Sequence, residues 1–227
     1  MRNNYLYKML VASVRIYSLL FHRMDVHWHE RPPHGPKLYI ANHPSASDPF
    51  LIHLLSERHL AVLISANAFA FPLLGFLVRK ASQVEVVPGR GEQTLENARK
   101  LLDAGCSVAI FPEGTFSPKE GGYQEPRSGA ARLALRTGVP VIPVGIYLQR
   151  EKLVKVSSKI NGKQTFGYWY LRGPYGITVG NPMRFEGSPS NKSHIESTTR
   201  SMMQRIRSLA EESEQRLQDL LPAAASA

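Results

Sequence analysis

A single cysteine, Cys106, stands in 227 residues, so no internal disulfide can form and bridge-held secreted scaffolds are excluded. Its setting, Gly105 followed by Cys-Ser-Val-Ala-Ile-Phe, suits a buried small hydrophobe. Acidic residues are scarce as well: 18 Asp and Glu face 28 Lys and Arg, a formal charge of +10. That balance favours an anionic partner, whether nucleic acid, an anionic membrane surface or a phosphorylated substrate. Zinc-type Cys/His spacing and an aromatic ribonucleoprotein motif are both missing, so no nucleic acid is expected and lipid head groups become the better partner. His27, His29 and His34 crowd one proline-rich link without a fourth ligand, and no metal is expected there. Long uncharged apolar runs are missing too. Tyr5 to Phe21 is broken by Lys8 and Arg15, and Asn67, Pro72 and Gly75 divide residues 60–78 into a strand and a short helix rather than a membrane span. No small-residue cleavage site follows the first stretch, so no secretory leader is expected, and no internal repeat is visible.

What is present is a substantial apolar fraction, 43%, enough for the core of one large domain. From Leu38 onward, apolar runs alternate with helical patterns, which predicts an α/β fold with a largely parallel central sheet flanked by helices. The expected strands are Leu38 to Ala41, Ala61 to Ile64, Val84 to Val87, Ser107 to Phe111, Val139 to Ile146 and Ile177 to Gly180. Asp48-Pro49 reads as a helix cap and first-turn proline opening a helix to about Ser56. Glycines close the helices Glu92 to Ala104 and Ser128 to Thr137. Ser193-His-Ile-Glu196 resembles a capping box that opens a C-terminal helix, and the tail from Pro222 is expected to fray.

The first 30 residues are expected to form an N-terminal amphipathic helix, with residues 31–227 as one catalytic domain. Leu6, Leu10, Val14, Tyr17, Phe21 and Met24 lie at helical spacing, opposite Lys8, Arg15, Ser18 and His22. Such a helix suits a membrane interface or the domain's own core. Basic residues ahead of Phe166-Gly-Tyr-Trp-Tyr170 suggest a rim hairpin, with its aromatics either at a membrane surface or turned inward.

Chemistry concentrates where two apolar runs end abruptly. Leu38-Tyr-Ile-Ala-Asn leads into His43-Pro-Ser-Ala-Ser-Asp48, and four intervening residues allow imidazole and carboxylate to meet in a tight bend. A carboxylate that fixes the tautomer makes histidine a better base at neutral pH. Val108-Ala-Ile leads into Phe111-Pro-Glu-Gly-Thr115. Pro112 and Gly114 fit a turn, but a carboxylate and a hydroxyl just past a buried strand stand where open α/β sheets bind ligands. Glu113 could hold acceptor hydroxyls or an arginine, and backbone N–H groups at Gly114 and Thr115 could receive a phosphate. Arg79, Lys80, Arg90 and Arg127 supply candidate opposing charge.

The order of these motifs resembles the glycerolipid acyltransferase superfamily, in particular bacterial 1-acylglycerol-3-phosphate (lysophosphatidic acid) acyltransferases. His43 to Asp48 is similar to that family's histidine/aspartate motif and Phe111 to Thr115 to its glutamate-glycine-threonine motif. Val139-Pro-Val-Ile-Pro-Val144 resembles its proline-centred strand, and Pro72-Leu-Leu-Gly75 with the run to Arg90 its second motif. The resemblance spans about Leu38 to Phe185. It departs in one extra residue before Arg90, and in Phe116, where the family commonly has arginine. It implies transfer of a fatty acyl group from acyl-CoA or acyl-carrier protein to a lysolipid hydroxyl, with His43 as base and Asp48 orienting it. No cofactor beyond the donor is implied, and the expected location is the cytoplasmic face of a membrane. Phe116 keeps other lysolipid, aminolipid or glycolipid acceptors open. A non-catalytic peripheral lipid-binding protein is the alternative of another class.

Overall fold

The computed structural model describes residues 4–66, 79, 83–160 and 163–220. A seven-stranded sheet runs through its centre. In chain order its members are β1 (His22–Trp28), β2 (Leu38–Ala41), β3 (Leu60–Ser65), β4 (Val84–Val86), β5 (Ser107–Ile110), β6 (Val141–Leu148) and β9 (Gly173–Val179). They lie side by side as β1-β9-β6-β2-β5-β3-β4. Neighbours are parallel throughout except at β6 and β9, which pair antiparallel with Leu148 opposite Tyr175. The expected parallel α/β architecture is therefore present. That one reversal brings the start of β9 to the same sheet edge as the carboxyl ends of β2 and β5.

Alternation along each strand sends side chains to two layers. Leu38, Ile40, Val108, Ile110 and Val141 face helices α3 (Gly91–Asp103), α4 (Gly129–Thr137) and the first half of α5 (Lys192–Leu220). Tyr39, Ala109, Ile142, Val144 and Ile146 face the other way, toward Leu51, Ile52 and Leu55. β2, β5 and most of β6 are buried on both faces and so read as continuous apolar runs. At Gly145 of β6 the approach is closest: a Cβ there would stand 2.1 Å from the backbone N of Ala210 in α5. Only a residue without a side chain lets the helix backbone lie directly on the strand.

Several local expectations change. α1 (Asn4–Phe21) ends at Phe21, and His22 begins a strand that joins the sheet edge, where helix was expected to run to Met24. Pairing with β9, seven positions in register, outweighs the helical spacing. The inward face of α1 also differs from its sequence pattern: Tyr7 and Ser18 are buried, whereas Met9, Ile16, Leu19 and Leu20 are exposed. The expected helix from Asp48 to Ser56 is a single turn, α2 (Asp48–Leu51), running into a 3-10 turn, Ile52–Leu55. Asn191, not Ser193, caps α5, accepting the His194 N–H at 3.2 Å. Cys106 is only half-buried. The predicted hairpin is present as β7 (Val154–Ile160) and β8 (Lys163–Trp169). Its aromatics divide: Trp169 is half-buried and stacks on Phe50 at 6.1 Å, while Phe166 is exposed. The expected short helix within 60–78, the Pro72 to Gly75 motif, Lys80 and the tail lie outside the described residues.

Candidate active site

β2 stops at Ala41 because the next residue replaces backbone pairing with its side chain. The Asn42 amide donates to the Ile146 carbonyl and accepts its N–H, both at 2.8 Å. The chain then leaves the sheet, and Pro44 and Ser45 turn it so that His43 and Asp48 meet. His43 Nδ1 lies 3.0 Å from Asp48 Oδ2. Asp48 opens α2, yet its carboxylate makes no capping bond to that helix. It is turned instead into the loop, fully buried.

A buried carboxylate is costly unless its lone pairs are used. Here they are. Oδ2 accepts His43 Nδ1 and the Ser45 N–H at 2.8 Å, while Oδ1 accepts the Ser45 hydroxyl at 2.6 Å and the Tyr175 hydroxyl at 2.7 Å. Burial and the adjoining carboxylate push the Tyr175 phenol well above its ordinary pKa, so it remains a donor. An ionised Asp48 requires the proton on His43 Nδ1, which leaves Nε2 with a free lone pair. Nε2 meets no partner among the described residues, and the side chain keeps 14% of its exposure. The ring is held between Phe111, at 4.3 Å, and Phe116, at 4.8 Å.

The second motif braces the first. Glu113 Oε1 accepts the His43 backbone N–H at 3.0 Å and the Ser117 hydroxyl at 2.6 Å, and Oε2 accepts the Gln124 N–H at 2.8 Å. Ser117 N–H in turn donates to the His43 carbonyl at 2.8 Å. The Glu113 carboxylate is buried and ties the two loops together rather than facing the cleft.

The remaining predicted residues take varied places. Gly114 has φ +65°, a turn conformation that L side chains resist, and the Arg127 side chain lies across it, 2.6 Å from where a Cβ would stand. Its N–H closes the turn onto the Phe111 carbonyl, so that donor is not free for a phosphate. Thr115 and Arg127 are exposed, and the Arg127 guanidinium meets no carboxylate among the described residues. Arg90 is exposed at the head of α3, just past β4. β4 is three places from β2, roughly 14 Å across the sheet, and parallel to it through β3 and β5, so Arg90 lies at the same end of the sheet as His43. Arg79 is exposed.

Sequence reasoning missed Tyr175, Ser117 and the pair of phenylalanines. Ser45 stood inside the first motif and Phe116 directly after the second, but Phe116 was read only for its bearing on the acceptor, not as a wall of the His43 ring. Tyr175 gave no local signal, because only the reversed pairing of β9 brings it to the loop.

Fold and site together define an open α/β sheet that presents a histidine, oriented by a buried carboxylate, at the carboxyl ends of its central strands. The family model described as Acyltransferase matches residues 23–147, and the chain belongs to that family. The chain is 31% identical over 140 residues to a chloroplastic 1-acyl-sn-glycerol-3-phosphate acyltransferase of Brassica napus, covering 60% of this chain and 40% of that one. It is 37% identical over 124 residues to the lyso-ornithine lipid O-acyltransferase of Pseudomonas aeruginosa, covering 52% and 46% respectively. The chain thus spans less than half the length of these relatives. The crystal structure of the 1-acyl-sn-glycerophosphate acyltransferase from Thermotoga maritima shares the fold, with a TM-score of 0.64 at 22% identity over 99% of this chain and 83% of that one.

Proposed function

We propose that this protein is a 1-acylglycerol-3-phosphate O-acyltransferase, moving a fatty acyl group from acyl-CoA or acyl-carrier protein to the free hydroxyl of a lysolipid. The observation that carries this reading is the His43–Asp48 pair, with an unpartnered Nε2 and a carboxylate whose lone pairs are filled. His43 Nε2 takes the acceptor's hydroxyl proton as the hydroxyl oxygen bonds to the thioester carbonyl carbon, and the carbonyl electron pair moves onto its oxygen. Asp48 stabilises the imidazolium. When the intermediate collapses, the C–S bond breaks, sulfur leaves with the bonding pair, and His43 returns the proton to it. The products are an ester and a free thiol, with no acyl-enzyme and no cofactor.

Arg127, which lies beside Gly114, and Arg90, further along the same edge, would receive the acceptor's phosphate. Glu113, Gly114 and Thr115 build the turn that holds His43 from below. A second acceptor class has support of its own: Phe116 packs on the His43 ring where the resembling family commonly carries arginine, and one relative is named for a lyso-ornithine lipid. An aminolipid acceptor fits a site with less fixed positive charge at that position.

Membrane association completes the reading. Among the described residues no helix is long and apolar enough to cross a membrane. α1 nevertheless exposes Tyr5, Met9, Ile16, Leu19 and Leu20 beside Lys8 and Arg15, the mixture of an interfacial helix. Together with the formal charge of +10 on the whole chain, residues 1–30 would seat the domain formed by 31–227 on an anionic, cytoplasmic membrane face.

The test is purified protein with a panel of lysolipids and both thioester donors, products read by mass spectrometry, beside a His43→Ala control. Acyl transfer by the protein, absent in the control, is expected. Vesicle binding without thioester consumption would instead mark a non-catalytic lipid-binding protein.

A further inference from the structure

We infer that Tyr175 is a positioning residue for the His43–Asp48 pair, its hydroxyl being the tie that fixes the Asp48 carboxylate to the central sheet. This rests on the proposed role of His43 as base. Three of the four donors to Asp48 come from the same loop: His43 Nδ1, the Ser45 N–H and the Ser45 hydroxyl lie within five residues of it. They would move with the carboxylate if the loop shifted. Tyr175 stands 127 residues away in sequence, on a strand paired on both sides, with Met24 of β1 and Leu148 of β6. It alone among these donors refers the carboxylate to a rigid element.

The surroundings leave the phenol little freedom. Its ring is wholly buried, with His22 edge-on at 5.8 Å and Tyr170 at 6.1 Å. Packing alone would be served equally by phenylalanine, and the hydroxyl's hydrogen bond runs to Asp48. Tyr175 donates to Oδ1, the oxygen turned away from His43, so it draws charge from the carboxylate without competing for Nδ1. It thereby sets both the plane of the carboxylate and how strongly Asp48 stabilises the imidazolium. The ionisable groups around the pair are Glu113 beneath the His43 backbone and, on the Tyr175 side, His22 and Tyr170.

The experiment compares the wild type, Tyr175→Phe, Ser45→Ala and His43→Ala by steady-state kinetics across pH, with thermal melts alongside. For Tyr175→Phe the expected result is about a tenfold fall in kcat with KM for the donor little changed. Its acidic limb should move upward by about half a unit, because a carboxylate with fewer donors holds the imidazolium proton more firmly. Ser45→Ala, which removes the other hydroxyl from the same oxygen, should move the limb the same way. A Tyr175→Phe protein with a lower melting temperature but unchanged kcat and acidic limb overturns the inference and leaves tyrosine a packing residue. Activity surviving in His43→Ala sinks the base reading itself, so the two failures are separable. If Tyr175→Phe does not fold, 3,5-difluorotyrosine at the same position keeps the shape and strengthens the donor. The limb should then move downward, and an unmoved limb overturns the inference.

Discussion

The carboxylate of Glu113 accepts the backbone N–H of His43 at 3.0 Å, so the two halves of the sequence signature, 70 residues apart, are hydrogen-bonded to each other. The same oxygen takes the Ser117 hydroxyl, and Ser117 returns a bond to the His43 carbonyl. His43 is thus clamped at its backbone by one motif and at its ring by the other.

Removing that clamp should cost both stability and rate. Glu113→Ala leaves the His43 and Gln124 N–H groups and the Ser117 hydroxyl without their acceptor, and stability should fall by about 2–4 kcal/mol. Glu113→Gln keeps an acceptor oxygen and should lose less. Chemical denaturation of the three proteins measures this, and equal midpoints would show the clamp to be idle.

Arg127→Ala and Arg90→Ala should each raise KM for a phosphate-bearing lysolipid by about tenfold, with a smaller effect on kcat. A neutral lysolipid should be indifferent to both. Initial-rate measurements on the two acceptors decide the point, since identical changes for both would move phosphate recognition elsewhere.

Stability should also depend on His53. This ring is buried, its Nδ1 faces the Phe50 carbonyl at 3.2 Å and its Nε2 faces the Gln83 amide, and burial lowers its pKa to about 4. The unfolded chain takes up that proton near pH 6.5. Between those values the unfolded state binds more protons, so stability is full above pH 6.5 and falls as pH drops toward 4, by roughly 3 kcal/mol in all. His53→Gln should flatten that window in melting curves recorded between pH 4 and 7. An unchanged slope would assign the effect to other groups.

Leu19 and Leu20, 76% and 71% exposed, are the most exposed aliphatic side chains of α1. Changing both to glutamate should cut binding to anionic vesicles by tenfold or more, roughly, while leaving the melting temperature unaltered. Cosedimentation reads this directly, and undiminished binding would move membrane contact to another surface.

The parallel sheet was legible because strands buried on both faces leave unbroken apolar runs, as at Leu38 to Ala41 and Ser107 to Ile110. The chemistry at their ends was legible for the same reason, polar residues being conspicuous after such runs. What escaped were facts of pairing. β1 carries His22, Arg23, Asp25 and His27, no pattern of a strand, and forms only because β9 lies beside it. The orientation of α1 was misread because Ser18 and His22, polar in sequence, point into a tight junction with room for small or flat side chains. Asp48 read both as a helix cap and as the partner of His43; its carboxylate is turned to His43, and the further bond from Tyr175 of β9 had no signal in the sequence.

Gly145 bears on related chains as well as on this one. A Cβ there and α5 cannot occupy the same space, since 2.1 Å separates that position from the Ala210 nitrogen. A related sequence with any larger residue at the matching place must therefore seat its C-terminal helix elsewhere or do without one. One letter in a central strand thus forecasts whether the far end of a chain folds back against its own sheet.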